Sequence, residues 1–78
     1  MAPDAQQVGL RIRATRRKRK MTLAELSAQT GLDKGFLSRL ERGEKFGSVG
    51  TLHTVATVLG TPLSALLGEV DPKDEIHI

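Results

Sequence analysis

Five short helices around one core is the all-α architecture this sequence predicts, and three observations predict it. Apolar residues recur at spacings of three and four, the period of helices that bury one face. Most of these stretches open on a residue type that caps helices and close on a glycine. No segment alternates with a period of two except Glu75-Ile76-His77-Ile78, which is too short to weigh.

The first six residues contain Pro3 and nothing to bury, so residues 1–6 read as a flexible arm. Val8, Ile12 and Thr15 then fall at i, i+4 and i+7 and carry a first helix to about Arg19. Thr22 followed by Glu25 is a capping-box pattern, in which hydroxyl and carboxylate satisfy two orphan amides reciprocally. The second helix therefore starts here, turns Leu23, Leu26 and Ser27 inward, and stops at Gly31. Asp33 is the expected cap of a third helix that buries Leu37 and Leu40 and ends at Gly43. Gly47-Ser48-Val49-Gly50 reads as a loop. Thr51 is the expected start of a fourth helix, with Leu52, Val55, Ala56 and Leu59 on one face and Gly60 closing it. Pro62 suits a first helical turn, and Leu63, Leu66 and Leu67 form a short fifth helix. The domain so defined covers residues 7–68, and residues 69–78 are an acidic tail.

With 78 residues the chain makes one small domain, of a size that buries only about 60% of its unfolded surface. It has no cysteine for a disulfide or a thiolate metal site, and His53 and His77 alone cannot complete a zinc site. Neither a metal nor a cofactor is expected. No apolar run approaches the roughly 18 residues of a membrane span, and no signal peptide precedes the domain. Two phenylalanines are the only aromatics, too few to build stacking platforms for single-stranded nucleic acid.

Charge is segregated along the chain. From Val8 to Lys45 there are 11 basic residues against four acidic ones, a local net of +7 within a whole-chain net of +3. From Phe46 to Ile78 a single lysine faces four acids, a net of −3. A concentrated basic half suits a polyanion such as nucleic acid, and equally a solvated face that aids solubility. Within Arg16-Arg17-Lys18-Arg19-Lys20 successive residues rotate by about 100°, so the five charges cannot share one helix face. They fan out at a helix end, where cations also favour the helix dipole.

The informative unit is the pair of helices joined through Gly31-Leu32-Asp33. So short a turn sets two helices at a steep angle and leaves the second free to enter a DNA major groove. Here the sequence resembles the lambda-repressor-like, Xre-type (Cro-like) helix-turn-helix regulators of bacteria and phage. The matching stretches are Ile12-Arg13-Ala14-Thr15-Arg16, Met21-Thr22-Leu23-Ala24-Glu25-Leu26, Gly31-Leu32 and Leu37-Ser38-Arg39-Leu40-Glu41-Arg42-Gly43. They continue through Thr51-Leu52, Ala56, Leu59-Gly60, Leu63 and Leu66-Leu67, in the family's order and spacing.

The resemblance implies a lambda-repressor-like domain whose third helix, about Asp33 to Arg42, is the recognition helix. Its base readers would fall at Lys34, Gly35, Ser38 and Arg39. Arg39 and Lys34 suit guanine, Ser38 is permissive, and Gly35 lets backbone approach closely. Arg11, Arg17, Thr22, Arg42 and Lys45 would hold phosphates. The family's glutamine opening the second helix is Leu23 here, so its phosphate contact falls to Thr22. Arg16 and Glu41 match a family ion pair that orients the recognition helix.

No serine has a histidine base nearby, and Glu41 and Glu44 have no metal-ligand companions, so the chain does not read as an enzyme. The expected function is sequence-specific binding of double-stranded DNA by a repressor-like transcriptional regulator, cytoplasmic, associated with the nucleoid, and of prokaryotic or phage type. One recognition helix reads about four to six base pairs, so a homodimer on a two-fold symmetric operator is expected. Leu63, Leu66, Leu67, Ile76 and Ile78 are its expected contact surface. The alternative is an antitoxin or adaptor that binds a protein partner, a toxin or a polymerase subunit, and autoregulates. The acidic tail, which DNA would repel, is the feature that favours such a partner. A membrane partner is not expected, because the apolar side of the first helix is needed for the core.

Overall fold

A computed structural model describes residues 4–68, and within them all regular structure is helical. The Asp4 carboxylate accepts the Gln6 amide at 2.9 Å and opens α1, Ala5–Lys18. The helix therefore starts before Val8, the first residue it buries, and the loose arm expected through Gln6 loses residues 4–6 to the cap and first turn. Apolar periodicity marks only the turns that touch the core, whereas capping marks the true start. After Arg19 the chain reverses at Lys20, whose φ of 57° is the only positive value of a non-glycine residue among those described.

α2, Leu23–Thr30, carries the complete capping box: Thr22 Oγ1 accepts the Glu25 amide at 3.0 Å and Glu25 Oε1 accepts the Thr22 amide at 2.8 Å. Hydrogen bonding to its carboxylate, from the Thr22 backbone amide first and the Thr22 side chain second, holds the Glu25 carboxyl below its ordinary value. Gly31 ends α2 in the left-handed region at φ 77°, where any other L-residue would be strained. α3, Lys34–Glu41, begins at Asp33, whose carboxylate accepts the Phe36 amide at 3.1 Å.

α4, Val49–Leu59, starts two residues before Thr51, so Val49 and Gly50 are helical and not loop. Ser48 is the cap, its hydroxyl accepting the Thr51 amide at 3.2 Å. α5, Leu63–Leu67, begins after Pro62, which caps it in an extended conformation without entering the first turn.

α1 lies across α3 and α5, α2 packs on α3 and α4, and α4 on α5. The enclosed core is Val8, Ile12, Leu26, Leu37, Leu40, Leu52, Val55, Ala56, Leu59 and Leu66. Each large side chain among them, fully withdrawn from water, contributes on the order of 1.5–3 kcal/mol. Leu66 is 1% exposed, which takes it off the expected dimer surface and places it in the core. Leu63 and Leu67 are half-buried against the same core, and Ile76 and Ile78 lie outside the described residues.

One close approach fixes how α1 meets α3. Gly9 faces the end of α3 so tightly that a Cβ there would overlap the Leu40 carbonyl oxygen and come within 2.5 Å of the Glu41 carbonyl oxygen. Both obstacles are backbone, so only a residue without a side chain lets the helices cross here.

Candidate nucleic-acid interface

α3 divides its residues between two sides. Leu37, Leu40 and Glu41 point inward and are buried, while Lys34 and Arg39 are exposed and Gly35 and Ser38 half-buried on the outward side. Positions 34, 35, 38 and 39 follow the i, i+1, i+4, i+5 pattern of one helical face. The four residues expected to read bases therefore share a surface. Arg39 Nη1 lies 3.7 Å, and Asp33 Oδ2 3.0 Å, from the point a Cβ on Gly35 would occupy. The missing side chain thus leaves room for the guanidinium to lie back along the helix toward its N-terminal cap.

One buried ion pair sets the orientation of that surface. Arg16 Nε donates to Glu41 Oε2 at 2.6 Å and Nη2 to Oε1 at 2.9 Å, a two-point contact across 25 residues of sequence. Nη1 donates to the Met21 carbonyl at 2.8 Å, which also ties in the turn before α2. The side chains are only 11% and 5% exposed. Hydrogen bonding to Glu41 raises the Arg16 pKa against the opposing effect of desolvation. Such a buried pair adds little net stability over an apolar one, but it ties α3 to α1 in one geometry.

Cations frame the outward side of α3. Arg13 and Arg17 of α1 and Arg42 after α3 line a cleft with Ser38, Glu41 and Leu23. A second cleft brings Arg17 and Lys20 beside Thr22 and Lys34. Of the expected phosphate holders, Arg17, Thr22 and Arg42 are therefore gathered about the recognition surface. The Thr22 hydroxyl accepts the Glu25 amide at the exposed start of α2. Arg42 pairs with Glu44 at 2.9 Å, but both are more than half exposed, so the contact is weak. Lys45 follows in the exposed segment after Gly43.

Arg11 does not join them. It stands five residues before Arg16, about 140° around α1, and its guanidinium lies over Gly68 at the end of α5. Arg19 is also engaged elsewhere, donating through Nη1 to the Leu59 carbonyl at 2.9 Å. Conversely, Arg13 and Lys20 belong to the cationic frame although neither was among the expected phosphate holders. For Arg13 the signal was its position four residues before Arg17, on the same side of the helix. Lys20 depends on the left-handed turn, which no periodicity reports.

Among the described residues no three His, Asp or Glu side chains gather to hold a metal ion. No helix there is long and apolar enough to cross a membrane. The arrangement presents hydrogen-bond donors and positive charge on one protruding helix.

The sequence profile of the helix-turn-helix domain matches residues 7–67. An immunity repressor protein of Bacillus phage phi105 is 40% identical over 62 residues, 80% of this chain and 43% of that protein. An uncharacterized HTH-type transcriptional regulator of Sinorhizobium fredii, y4dJ, is 37% identical over 68 residues, covering 87% of this chain and 84% of that one. Among solved structures, the N-terminal DNA-binding domain of SinR from Bacillus subtilis superposes with a TM-score of 0.75 at 32% identity. That match covers 80% of this chain and 91% of the SinR domain. This chain spans less than half the length of the phage repressor.

Proposed function

This chain belongs to the helix-turn-helix domain family, and from that premise we propose that it is a sequence-specific, repressor-like transcriptional regulator of double-stranded DNA. It works by occupying an operator and carries out no catalysis. α3 enters the major groove with Lys34, Ser38 and Arg39 at base edges and Gly35 allowing close approach. Arg17, Thr22, Arg42 and Lys45, joined by Arg13 and Lys20, hold phosphates on either side. The domain that does this is residues 7–68. The observation that carries the reading is the outward row of α3, framed by cations and tied from behind by the Arg16–Glu41 pair.

Specificity in a genome requires a second copy. Two recognition helices about 34 Å apart would meet successive major grooves, so the protein acts as a homodimer on a two-fold symmetric site. Leu63 and Leu67, half-buried at the surface of α5, are the described residues available to that contact. A prokaryotic or phage regulator of this kind works in the cytoplasm, on the nucleoid.

Selection of binding sites from a random duplex pool at about 0.15 M salt tests the reading, because non-specific attraction is screened there. The expected result is enrichment of a two-fold site with half-sites one helical turn apart. Retention without enrichment, lost as salt rises, would overturn sequence-specific reading and turn attention to a protein partner.

A further inference from the structure

One residue at the outward side of α3 carries the wrong sign for a phosphate. Asp33 is exposed at the leading end of the helix, within the half of the chain whose net charge is +7. Its Oδ2 accepts the Phe36 amide at 3.1 Å, but capping asks only for an acceptor. The hydroxyls of Thr22 and Ser48 cap α2 and α4 without any charge. A carboxylate here is repelled by any phosphate that α3 approaches, so capping alone does not account for its charge.

Two observations tie Asp33 to the residues expected to read bases. Gly35 has no side chain, and the point its Cβ would occupy lies 3.0 Å from Asp33 Oδ2 and 3.7 Å from Arg39 Nη1. Carboxylate and guanidinium therefore border one notch, an acceptor beside a fork of donors. The cap also occupies only one of a carboxylate's roughly four lone-pair sites, which leaves Asp33 acceptor capacity for a ligand.

The chemistry of base edges then selects that ligand. In the major groove guanine offers N7 and O6 and thymine offers O4, all acceptors, which a carboxylate repels. Adenine sets its N6 donor beside the N7 acceptor, whereas cytosine offers the N4 amine alone. Asp33 stands before the first turn of α3 and Arg39 in the second, so the two face neighbouring base pairs.

We propose that Asp33 is a specificity-determining residue, its carboxylate accepting from N4 of a cytosine in the base pair next to the guanine that Arg39 reads. The inference rests on the DNA-binding reading and adds to it the step recognised, a guanine met by donors beside a cytosine met by an acceptor. The same charge weakens attachment to random DNA, where it meets phosphates without an amine in return.

Asp33→Ser and Asp33→Asn test this, because serine and asparagine cap helices about as well as aspartate and should leave the unfolding midpoint near the parent's. Binding sites are selected from a random duplex pool at about 0.15 M salt for the parent and both variants. The parent is expected to enrich cytosine at a position adjoining the guanine whose preference is lost in Arg39→Ala. In Asp33→Ser that cytosine preference falls about tenfold while the other positions keep theirs. In Asp33→Asn it shifts to adenine, whose N6 and N7 suit a carboxamide. Both variants should bind a random duplex about threefold more tightly than the parent at about 50 mM salt, the difference fading near 0.5 M. A parent that selects a site which both variants share unchanged would reduce Asp33 to a cap and overturn this proposal alone. Preference lost at every position, with or without a lowered midpoint, would overturn it too, because Asp33 then orients the whole helix. A parent that selects no site overturns the DNA reading and the proposal with it.

Discussion

Removing the Arg39 guanidinium separates reading from clamping. Its position beside Gly35 on the outward side of α3 suits a two-point contact with guanine, worth about 1–3 kcal/mol of discrimination. Arg39→Ala is expected to lose that preference while keeping most non-specific affinity, measured by competition between selected and random duplexes. Equal losses on both would make Arg39 a phosphate holder. Glu41 acts from behind. Glu41→Ala strands the Arg16 guanidinium at a site where the side chain is 11% exposed, and should cost about 3 kcal/mol in denaturant unfolding. The double substitution Arg16→Met/Glu41→Leu, with no charge left to bury, should recover most of that loss. An equally unstable double variant would show that the pair itself, and not a stranded charge, carries the energy. Where individual residues lie was legible when a local rule governed them: Thr22 with Glu25, Asp33 as a cap, Gly31 in the left-handed region. Arg11 was not, because its place depends on which side of α1 packs on α5.

At the scale of elements, five helices were readable because most carry a start and a stop in adjacent residues. Two starts were placed late for one shared reason. Asp4 and Ser48 each cap a first turn whose residues face solvent, so the apolar period begins only afterwards. In α4 the glycines at 47 and 50 also imitate a loop, although Gly50 sits in the helix. α5 is the element whose use the sequence left open, since three leucines in five residues serve a core or an interface equally well. The burial of Leu66 decides for the core at that position. Leu66→Ala should therefore destabilise the fold by about 2–5 kcal/mol in thermal or denaturant unfolding. A variant of unchanged stability that only failed to self-associate would contradict its core placement.

For the whole molecule, three contacts join segments that no periodicity relates: Arg16 to Glu41, Arg19 to the Leu59 carbonyl, and Gly9 to the carbonyls ending α3. The Gly9 contact governs the α1–α3 crossing, and Gly9→Ala must push the two helices apart because neither carbonyl can yield. A loss of about 3 kcal/mol or more is expected, with weakened DNA binding in whatever fraction remains folded. An unchanged unfolding midpoint in the Gly9→Ala variant would mean that the crossing is looser than its geometry implies. The fold class was legible because local signals agreed with one another along the chain. The mounting of α3 was legible only in part: the resemblance implied the Arg16–Glu41 pair, whereas the Arg19 contact with the Leu59 carbonyl and the close approach at Gly9 leave no local signal.

That mounting has a consequence for how such a protein changes over time. α3 is held by Leu37, Leu40 and Glu41, while the side chains of Lys34, Ser38 and Arg39 make no hydrogen bond to any other described residue. Substitution at those three positions should carry little folding penalty, so if they read bases as proposed, the address can drift or be rewritten while the scaffold stands still. New operators become reachable by exchanging a few outward residues, much as a type slug is replaced in a fixed press.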